Sequence, residues 1–599
     1  MPRAAHVAHL SVVLTLCVGV SLAAQVVDGG HDTSAVVIDS GDALGAARAA
    51  QALFERRRLR HLPLSIGAGG GACDERVGRF CTWYSEGEWY PTPEPIEVVG
   101  MRAELLEQLD SLQSLVPGSS WIIGQRVWYR SEGGDWSGAL STARRCGSVD
   151  PWWCRALEGF ALHELGRYTA SAEAFEQALA GMRQGRQREW RIPRWAVDGE
   201  TRDLLDDAQD DPGLERRLLD RLWAMADPLY LVAGNDRLTA HYSRWTVATI
   251  REGARNLFHI RWGADLDQLT IRHGWEMGWE RSAVRGFTSP DQVIGHKHPE
   301  GRDYIPAGEA IVSPATASFE ALRADRRRPR SLYAPRYAPV LLPMQGQLAI
   351  FPRGSVMAVV ATHFLPEDTT FHAGHGHALP WMDPGTQAGS PDRMGLFAMP
   401  VGSGARLGAT ATGRTEGALM LELPIGDYWL SAESWSPERR RAGRLRQGLV
   451  ARLAPEDVAT LSDLLLLRPS DRVPETLEAA VEHALLRTQI RSGESFAIGW
   501  EVAGLGFRPE TLRFELSVER TGRGVVRRIG EFLHLAARPR PLALSWEEPG
   551  PDTPGHVFRS VNLDLPPLDA GTYEIRLVLH TASRSAATST RAFEVLAGR

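Results

Sequence analysis

The fold of the N-terminal half is indicated by thirteen residues, which read Ala156-Leu157-Glu158-Gly159-Phe160-Ala161-Leu162-His163-Glu164-Leu165-Gly166-Arg167-Tyr168. Small and large residues follow a helical period there, and Phe175 continues the pattern in a second helix. Because Gly159 has no side chain, we expect it to let the two helices approach closely. Tyr168 and Phe175 then fill the gap between them. The stretch therefore predicts a packed pair of helices.

A looser copy of this stretch runs from Trp121 to Cys146. Three pairs of positions match at an offset of 32: Gly134 with Gly166, Trp136 with Tyr168, and Ala139 with Ser171. The two units resemble tetratricopeptide repeats, whose period is about 34 residues and of which about three are needed to stack stably. Val99 to Leu115 supplies a further helix. The resemblance implies a short helical array over residues 99–182, with a concave surface that holds a protein or peptide.

Residues 215–280 carry a second resemblance, inside a helical region that we place at 183–280. The lead-in residues are Leu222-Trp223, Asp227-Pro228, Asn235, Arg237, His241-Tyr242 and Arg244, and the motif is Arg261-Trp262-Gly263-Ala264-Asp265. This segment resembles the GWxTD-domain proteins, a predicted secreted or envelope group with no established activity. Trp262 and Asp265 match the motif, whereas Arg261 and Ala264 replace its Gly and Thr. The resemblance implies that residues 269–274 form the strand and turn of the family, and it assigns no catalytic residue.

The segments before and after the helical region at 99–280 have different sequence patterns. Residues 25–98 form an N-terminal segment with a flexible Gly-rich link, and residues 281–335 form a connector. After that, the apolar period changes from helical to two. We expect two antiparallel β-sandwiches, at 336–450 and 490–599, joined by a helical linker at 451–489. Each sandwich carries a Gly-x-Tyr sequence that indicates a tyrosine corner, at Tyr428 and Tyr573. The predicted fold class is multidomain α+β, with a helical region before two sandwiches.

The N-terminus and the cysteines indicate export. Residues 1–24 have the basic start, the apolar run from Leu10 to Val20 and the small residues of a secretory signal. Its removal leaves four cysteines in two local pairs, Cys73 with Cys81 and Cys146 with Cys154. In an oxidising compartment we expect a disulfide within each pair, although four cysteines allow three connectivities and free thiols are the alternative. No later segment is long and apolar enough to span a membrane. We expect a secreted or periplasmic protein, with association with an outer membrane left open.

Composition limits the classes of partner. The chain has 599 residues, 43% apolar and 23% charged, which is enough for several domains with packed cores. The formal net charge of −6 gives no basic field that would attract nucleic acid, so we expect no nucleic-acid partner.

The sequence contains few signs of catalysis. A P-loop, a G-x-S-x-G elbow and a C-x-x-C pair are absent. The best candidate for a metal site is His372-x-x-His375-x-His377, whose imidazoles could converge on zinc or copper in a Gly-rich loop. Solvent-exposed loop histidines are the alternative. Beyond this zinc or copper site we predict no cofactor, and we regard an enzyme as less favoured than a binding protein.

Tryptophan is abundant, with 19 residues, of which 14 precede Arg281. Indole rings stack on sugars and are favoured in protein interfaces, or they pack between helices, as we expect for Trp121, Trp136, Trp152 and Trp153. Three functional hypotheses follow. The first is a non-enzymatic scaffold that binds a protein or peptide. The others are a glycan-binding or glycan-processing protein, and a metal-dependent enzyme that uses the histidine cluster.

Overall fold

The computed structural model describes residues 40–65, 73–84, 92–282, 292–298, 301–317, 329–366, 390–402, 404–453, 458–521, 542–581 and 585–597. Within these residues the protein is a mixed α and β structure, as predicted, with most helices before residue 274 and most strands after residue 340. The predicted signal and the Gly-rich link lie outside the described residues.

Thirteen helices occur in the described part of the chain. They are α1 Ser40–Arg60, α2 Ile96–Leu115, α3 Ser120–Glu132, α4 Trp136–Arg144, α5 Pro151–Glu164, α6 Tyr168–Gly181, α7 Gln184–Arg191, α8 Gly199–Asp207, α9 Pro212–Ala226, α10 Asp236–Arg251, α11 Ala264–His273, α12 Gly308–Val312 and α13 Leu477–His483.

Seven short strands accompany the helical half and the segment that follows it: β1 Leu64–Ser65, β2 Glu75–Val77, β3 Phe80–Thr82, β4 Gly278–Ser282, β5 Gln292–His296, β6 Arg302–Asp303 and β7 Leu332–Tyr333. The remaining strands build two larger units: β8 Val340–Pro343, β9 Leu348–Arg353, β10 Val356–His363, β11 Arg393–Pro400, β12 Leu407–Thr412, β13 Gly417–Pro424, β14 Asp427–Ser436, β15 Arg441–Val450, β16 Thr460–Leu461, β17 Leu465–Leu467, β18 Gln489–Arg491, β19 Phe496–Leu505, β20 Thr511–Arg520, β21 Leu542–Pro549, β22 Gly555–Leu563, β23 Gly571–Thr581 and β24 Ala587–Leu596.

Helices α3 to α6 form two successive pairs, and the predicted close approach at Gly159 is confirmed. A Cβ placed on Gly159 would lie 2.9 Å from the ring of Phe175, so α5 and α6 touch where the sequence has no side chain. Gly134 and Gly166 both have positive φ, 82° and 70°, and they begin the matching turns of the two pairs. The structure thus contains the predicted helix pairs, while their kinship with tetratricopeptide repeats stays a prediction.

Helix α10 occupies the inner side of this array. The side chain of Gln125 on α3 donates to the carbonyl of Ile250 at 2.7 Å, and His163 on α5 contacts the hydroxyl of Thr239 at 2.9 Å. Thirteen of the sixteen residues of α10 are buried. The chain's own helix therefore fills the space in which the sequence predicts a concave binding surface.

The first β unit consists of two sheets that pack face to face. One has the strand order β12-β11-β14-β15-β8 and the other β13-β10-β9. Val359 on β10, Leu396 on β11 and Leu430 on β14 are fully buried in the core between them. The alternation that predicts these strands places every second side chain in this core. One pairing differs from the antiparallel prediction, because β8 runs parallel to β15.

The second β unit also has two layers. The order β18-β24-β23-β20-β21 faces a sheet in which β19 pairs with β16, β17 and β22. Trp500 on β19 is buried, as predicted, and packs edge-on against Phe514 on β20 at 5.7 Å. Here too one pairing is parallel, that of β18 with β24. The two units share a core in which Phe351 meets Leu465 and Phe558.

The prediction of a helical linker at 451–489 is wrong for much of its length. Strands β16 and β17 lie within it and pair with β19, so the second unit begins near Thr460. Only α13 is helical in the described residues of this stretch, over seven residues. The run Leu464 to Leu467 is fully buried, and a short continuous apolar run fits a buried strand as well as a helix. Here the backbone pairing of Leu465–Leu467 with β19 makes the segment a strand.

The two predicted tyrosine corners are confirmed. The hydroxyl of Tyr428 donates to the carbonyl of Pro424 at 3.1 Å, and that of Tyr573 donates to the carbonyl of Asp569 at 3.0 Å. Each bond ties the start of a strand to the chain four residues before it.

Both local cysteine pairs are disulfides. Cys73 is joined to Cys81 across the β2–β3 hairpin, and Cys146 is joined to Cys154 between α4 and α5. Across the described ranges, no helix combines the length and the apolar character needed to cross a membrane.

Enlarging Gly159 should weaken the α5–α6 contact. In Gly159→Ala the new methyl group meets the Phe175 ring, and we expect the free energy of unfolding to fall by about 1–3 kcal/mol. Gly100→Ala is the control, because no other atom lies within 4 Å of the place that its methyl group would take on the exposed face of α2. It should stabilise the helix by about 0.5–1 kcal/mol. Urea unfolding followed by far-ultraviolet circular dichroism measures both. Equal effects of the two changes would contradict the close contact.

Candidate ligand-binding cavity

The helical half contains a partly open cavity of about 210 Å³. Residues of α1, α2, α3, α5 and α10 line it, together with residues 273–279 and 332–336. A cavity of about 150 Å³ in another protein is large enough for benzene. The space therefore suits a single ring with a few substituents.

Aromatic rings form much of the wall. The lining rings are those of Trp128, Trp136, Phe160, Trp275, Trp279 and Tyr333. Trp275 meets Phe160 edge-on at 5.6 Å and Trp128 edge-on at 6.3 Å, so its orientation is set by both neighbours. Rings arranged in this way offer faces and edges on which an aromatic or a sugar ring can pack.

One side of the cavity holds a buried network of two arginines and two glutamates. Arg102 donates to both carboxylate oxygens of Glu94 at 2.5 Å, and Arg58 donates to Glu132 at 2.9 Å. Burial raises the pKa of the Glu132 carboxyl, but Arg58 and Arg102 outweigh burial and leave that pKa below its usual value. Glu132 is therefore ionised, and Glu94 and Glu132 each lie beside both cations.

A second cluster fixes the segment after α11. Lys297 donates to the carbonyl of Gly274 and to Glu276, both at 2.8 Å, and Arg251 donates to the same carboxylate at 2.7 Å. Burial opposes ionisation of Glu276, yet Lys297 and Arg251 lower its pKa to about 2. Gly274 has a φ of 81°, so the chain turns there and carries Trp275 into the wall.

Glu164 is paired with Arg336 at the opposite side of the lining. Arg336 donates to its carboxylate at 3.1 Å, and the same guanidinium lies 3.9 Å from the ring centre of Trp136. Burial raises the pKa of Glu164, and the attraction of Arg336 offsets only part of that rise. This carboxyl therefore takes up a proton more readily than an exposed glutamate.

Several buried polar atoms of residues that line the cavity have no hydrogen-bond partner among the described residues. Both ring nitrogens of His273, the hydroxyl of Ser131 and Nε of Arg102 are in this state, and these atoms have almost no surface open to the cavity. His273 is only 3% exposed. Burial, and then the charges of Arg272 and Lys297, lower the pKa of His273 well below its usual value, so its ring is neutral. A buried polar group without a partner costs roughly 1–3 kcal/mol.

Arg244 is buried in the lining and contacts only neutral acceptors among the described residues. Its Nη1 donates to the carbonyls of Ile271 and Arg272 at 3.1 and 2.9 Å, and its Nη2 donates to the carbonyl of Leu332. These bonds cap the C-terminal end of α11, which is favourable for a cation. Burial, and then Arg237, lower the pKa of Arg244 well below its usual value.

A carboxyl with an unusual pKa lies beside the cavity. Glu55 sits in an adjoining hollow of about 30 Å³ that shares Arg58, Trp128 and Glu132 with the larger cavity. The hydroxyl of Tyr129 donates to Glu55 at 2.6 Å. Burial raises the pKa of Glu55 to about 7, although Arg58 opposes the rise.

The predicted motif residues lie outside the lining but next to it. Asp265 accepts two bonds from the Arg79 guanidinium, at 2.6 and 2.7 Å, which ties α11 to the disulfide-closed β2–β3 hairpin. These bonds lower the pKa of Asp265 to about 2. Trp262 donates to Asp267 at 2.7 Å. The strand predicted for residues 269–274 is wrong, because they complete α11 and its Gly274 turn. The apolar residues of that segment fit the period of a helix, and the family resemblance assigned the wrong secondary structure to it.

The predicted metal ligands His372, His375 and His377 lie outside the described residues, so the zinc or copper site stays a prediction. Upstream, His363 is fully buried in β10 and contacts the carbonyl of Gly395 at 3.0 Å. No group of three histidine, cysteine or acidic residues that could hold a metal ion occurs in the ranges that the structure describes.

The four tryptophans expected between helices divide into two sets. Trp153 is buried, and Trp121 and Trp152 are half-buried against the helical core. Trp136 is half-buried as well, but it lines the cavity.

The residues that matter most for the cavity were not predicted as a site. Arg244 and His273 appear in the sequence only as parts of the GWxTD-like segment, and Ser131 is an ordinary helix-end serine. The sequence does contain a signal for a buried site, because charged and polar residues occupy positions on the core-facing sides of helices. Periodicity alone does not show that these residues line one cavity.

Comparison with known proteins gives no functional lead. No protein-family model matches the chain, and no curated protein matches it. Among solved structures, red sea bream transglutaminase shares 11% identity over 42% of this chain and 31% of its own, with a TM-score of 0.14. A putative membrane anchored protein from Corynebacterium diphtheriae shares 12% over 43% of this chain and 59% of its own, with a TM-score of 0.15. Escherichia coli alpha-2-macroglobulin activated by porcine elastase shares 12% over 42% of this chain and 22% of its own, with a TM-score of 0.14. The chain thus spans less than two thirds of each of these three proteins, and scores this low support no argument.

The Glu55 carboxyl should make stability depend on pH. Its pKa is about 7 in the folded protein and about 4.5 when exposed, so the folded state holds a proton that the unfolded state has lost between these values. This group therefore reduces the free energy of unfolding as pH rises from 4.5 to 7. In Glu55→Gln this pH-dependent decrease in the free energy of unfolding is absent. The variant should gain about 1–3 kcal/mol relative to wild type across the window.

Urea unfolding at several pH values, followed by tryptophan fluorescence, measures this difference. Glu107→Gln, on the exposed face of α2, is the control, for which the difference from wild type should stay constant. A constant difference for Glu55→Gln as well would show that Glu55 is ionised in the folded protein.

Proposed function

We propose that the protein is an exported binding protein that holds a small, single-ring organic ligand in the cavity of its helical half. The observation that carries this proposal is the combination, in one space of about 210 Å³, of aromatic walls with a buried cation, Arg244, whose hydrogen bonds within the described residues go only to neutral acceptors. A ligand that supplies a further acceptor for this guanidinium gains free energy that the empty site forgoes. Small-molecule sites generally pair apolar walls with a few such polar groups.

Export is supported by two features. The N-terminal residues have the pattern of a secretory signal, and the two disulfides are the kind of bond that persists in oxidising compartments. Membership of the GWxTD group would agree with this location and belongs to the same proposal.

Binding is favoured over catalysis by the state of three of the four glutamates that line the cavity. Glu94, Glu132 and Glu276 each lie beside two cations, which keeps them engaged. A general acid has to carry a proton, and a nucleophile or base has to be free to approach its substrate. Ion-paired carboxylates of this kind are better suited to shaping a site than to chemistry.

The glycan hypothesis survives in a restricted form. Tryptophans and carboxylates do meet in one place, but the space accommodates one ring and not a chain of sugars. The scaffold hypothesis stays a prediction, and it needs a surface other than the inner side of the array, which α10 fills.

A larger side chain in the cavity should weaken the binding of the ligand. Isothermal titration calorimetry of the wild-type protein with benzoate, benzamide and methyl glucoside should show binding of at least one of them. Ser131→Leu places a larger apolar side chain at the lining, so we expect its affinity to fall at least about tenfold. Ser137→Leu, on the exposed side of α4, should bind like wild type. Circular dichroism verifies that both variants are folded.

Two results would contradict the proposal. One is the absence of binding by all three compounds up to millimolar concentration. The other is unchanged binding by folded Ser131→Leu protein.

A further inference from the structure

We infer that the ligand is a single-ring carboxylate, and that Arg244 binds its carboxylate at the end of α11. This inference rests on the proposed binding function and adds the charge of the ligand and the residue that recognises it.

The first support is the balance of charge in the lining. Glu94, Glu132 and Glu164 form ion pairs with arginines that also line the cavity. Glu276 forms ion pairs with Arg251 and Lys297, which lie outside the lining. Arg244 has no carboxylate partner among the described residues, and its hydrogen bonds go to carbonyls and to the hydroxyl of Ser331. A buried cation without a counter-ion is costly, and an anionic ligand supplies one.

The second support is that two N–H groups of Arg244 have no acceptor in the described residues. A guanidinium has five N–H groups. Nη1 is engaged with the carbonyls of Ile271 and Arg272, and one N–H of Nη2 points to Leu332. The other N–H of Nη2 and the N–H of Nε have no acceptor in the described residues. Two N–H groups on adjacent nitrogens are the arrangement that binds a carboxylate through both oxygens.

The third support is the position of the unused donors of Arg244. Its Nη2 and Nε lie 3.4 and 3.6 Å from the point where a Cβ on Gly274 would stand, and Gly274 lines the cavity. Because Gly274 has no side chain, it does not cover this edge of the guanidinium.

The ring of the ligand has a wall at the same place. Trp275 follows the Gly274 turn directly and is oriented by Phe160 and Trp128. A carboxylate held at the end of α11 places an attached ring against these side chains. A neutral ring uses the same wall but leaves Arg244 without a counter-ion.

Matched pairs of compounds separate the charge of the ligand from its shape. We would titrate the full chain at pH 7 with benzoate and benzamide, and with glucuronate and glucuronamide, using calorimetry. In at least one pair the acid should bind about 10–100-fold more tightly than its amide. The pair that shows the larger preference tells whether the ring is a planar aromatic acid or a sugar acid.

Two substitutions of Arg244 test the assignment, and His273→Phe is a control beside it. His273→Phe keeps the shape of the ring and breaks no side-chain hydrogen bond among the described residues, so it should fold normally and keep the preference for the acid. Arg244→Met should lose the preference completely, and Arg244→Lys, which keeps the charge, should retain part of it. Arg255→Met removes an exposed arginine and should behave like wild type.

The outcomes separate the anion inference from the proposed function. Equal affinity for acid and amide would overturn the anion inference and leave the proposed function intact. An acid preference that persists at the wild-type level in folded Arg244→Met and Arg244→Lys would overturn the assignment to Arg244. Failure of all four compounds to bind would contradict the proposed function itself.

Discussion

The helical half depends on one constraint, which is that the polar side chains of the buried helix α10 have to find partners inside the protein. Asp236, Arg237 and Arg244 are each less than 5% exposed. Asp236 accepts hydrogen bonds from the hydroxyls of Tyr333 and Tyr337, and Arg237 and Arg244 both donate to Ser331. These partners lie about 100 residues further along the chain, so residues 331–333 of the segment predicted as a connector are built into the core of the helical half. The cavity lies where this packing brings separate segments together.

The same constraint fixes the junction with the first sandwich. Glu433 and Arg446 are 0% and 2% exposed, and they form an ion pair at 3.1 Å. Arg446 also donates to the carbonyl of Met225 at 2.7 Å, and Glu433 accepts from the backbone of Leu231 at 3.0 Å. A buried pair of this kind adds little stability over an apolar contact, but loss of one partner is severe. The pair therefore acts mainly to specify how the sheet meets the helices.

Features set by nearby residues could be predicted from the sequence. The Gly159 contact, the two local disulfides and the hydroxyl bonds of Tyr428 and Tyr573 each join residues that are close to one another along the chain. The strands within residues 460–467 could not, because a short apolar run does not distinguish strand from helix. The cavity could not either. Its lining residues come from positions as far apart as Arg58 and Tyr333, and only the packing around α10 places them in one space.

The most direct test of this account is a crystal structure of the protein with benzoate or glucuronate, whichever binds more tightly. The account predicts the ligand inside the cavity, with its carboxylate about 3 Å from the guanidinium of Arg244 and with its ring against Trp275. A ligand bound elsewhere on the protein, or a cavity filled by the protein's own side chains, would contradict it.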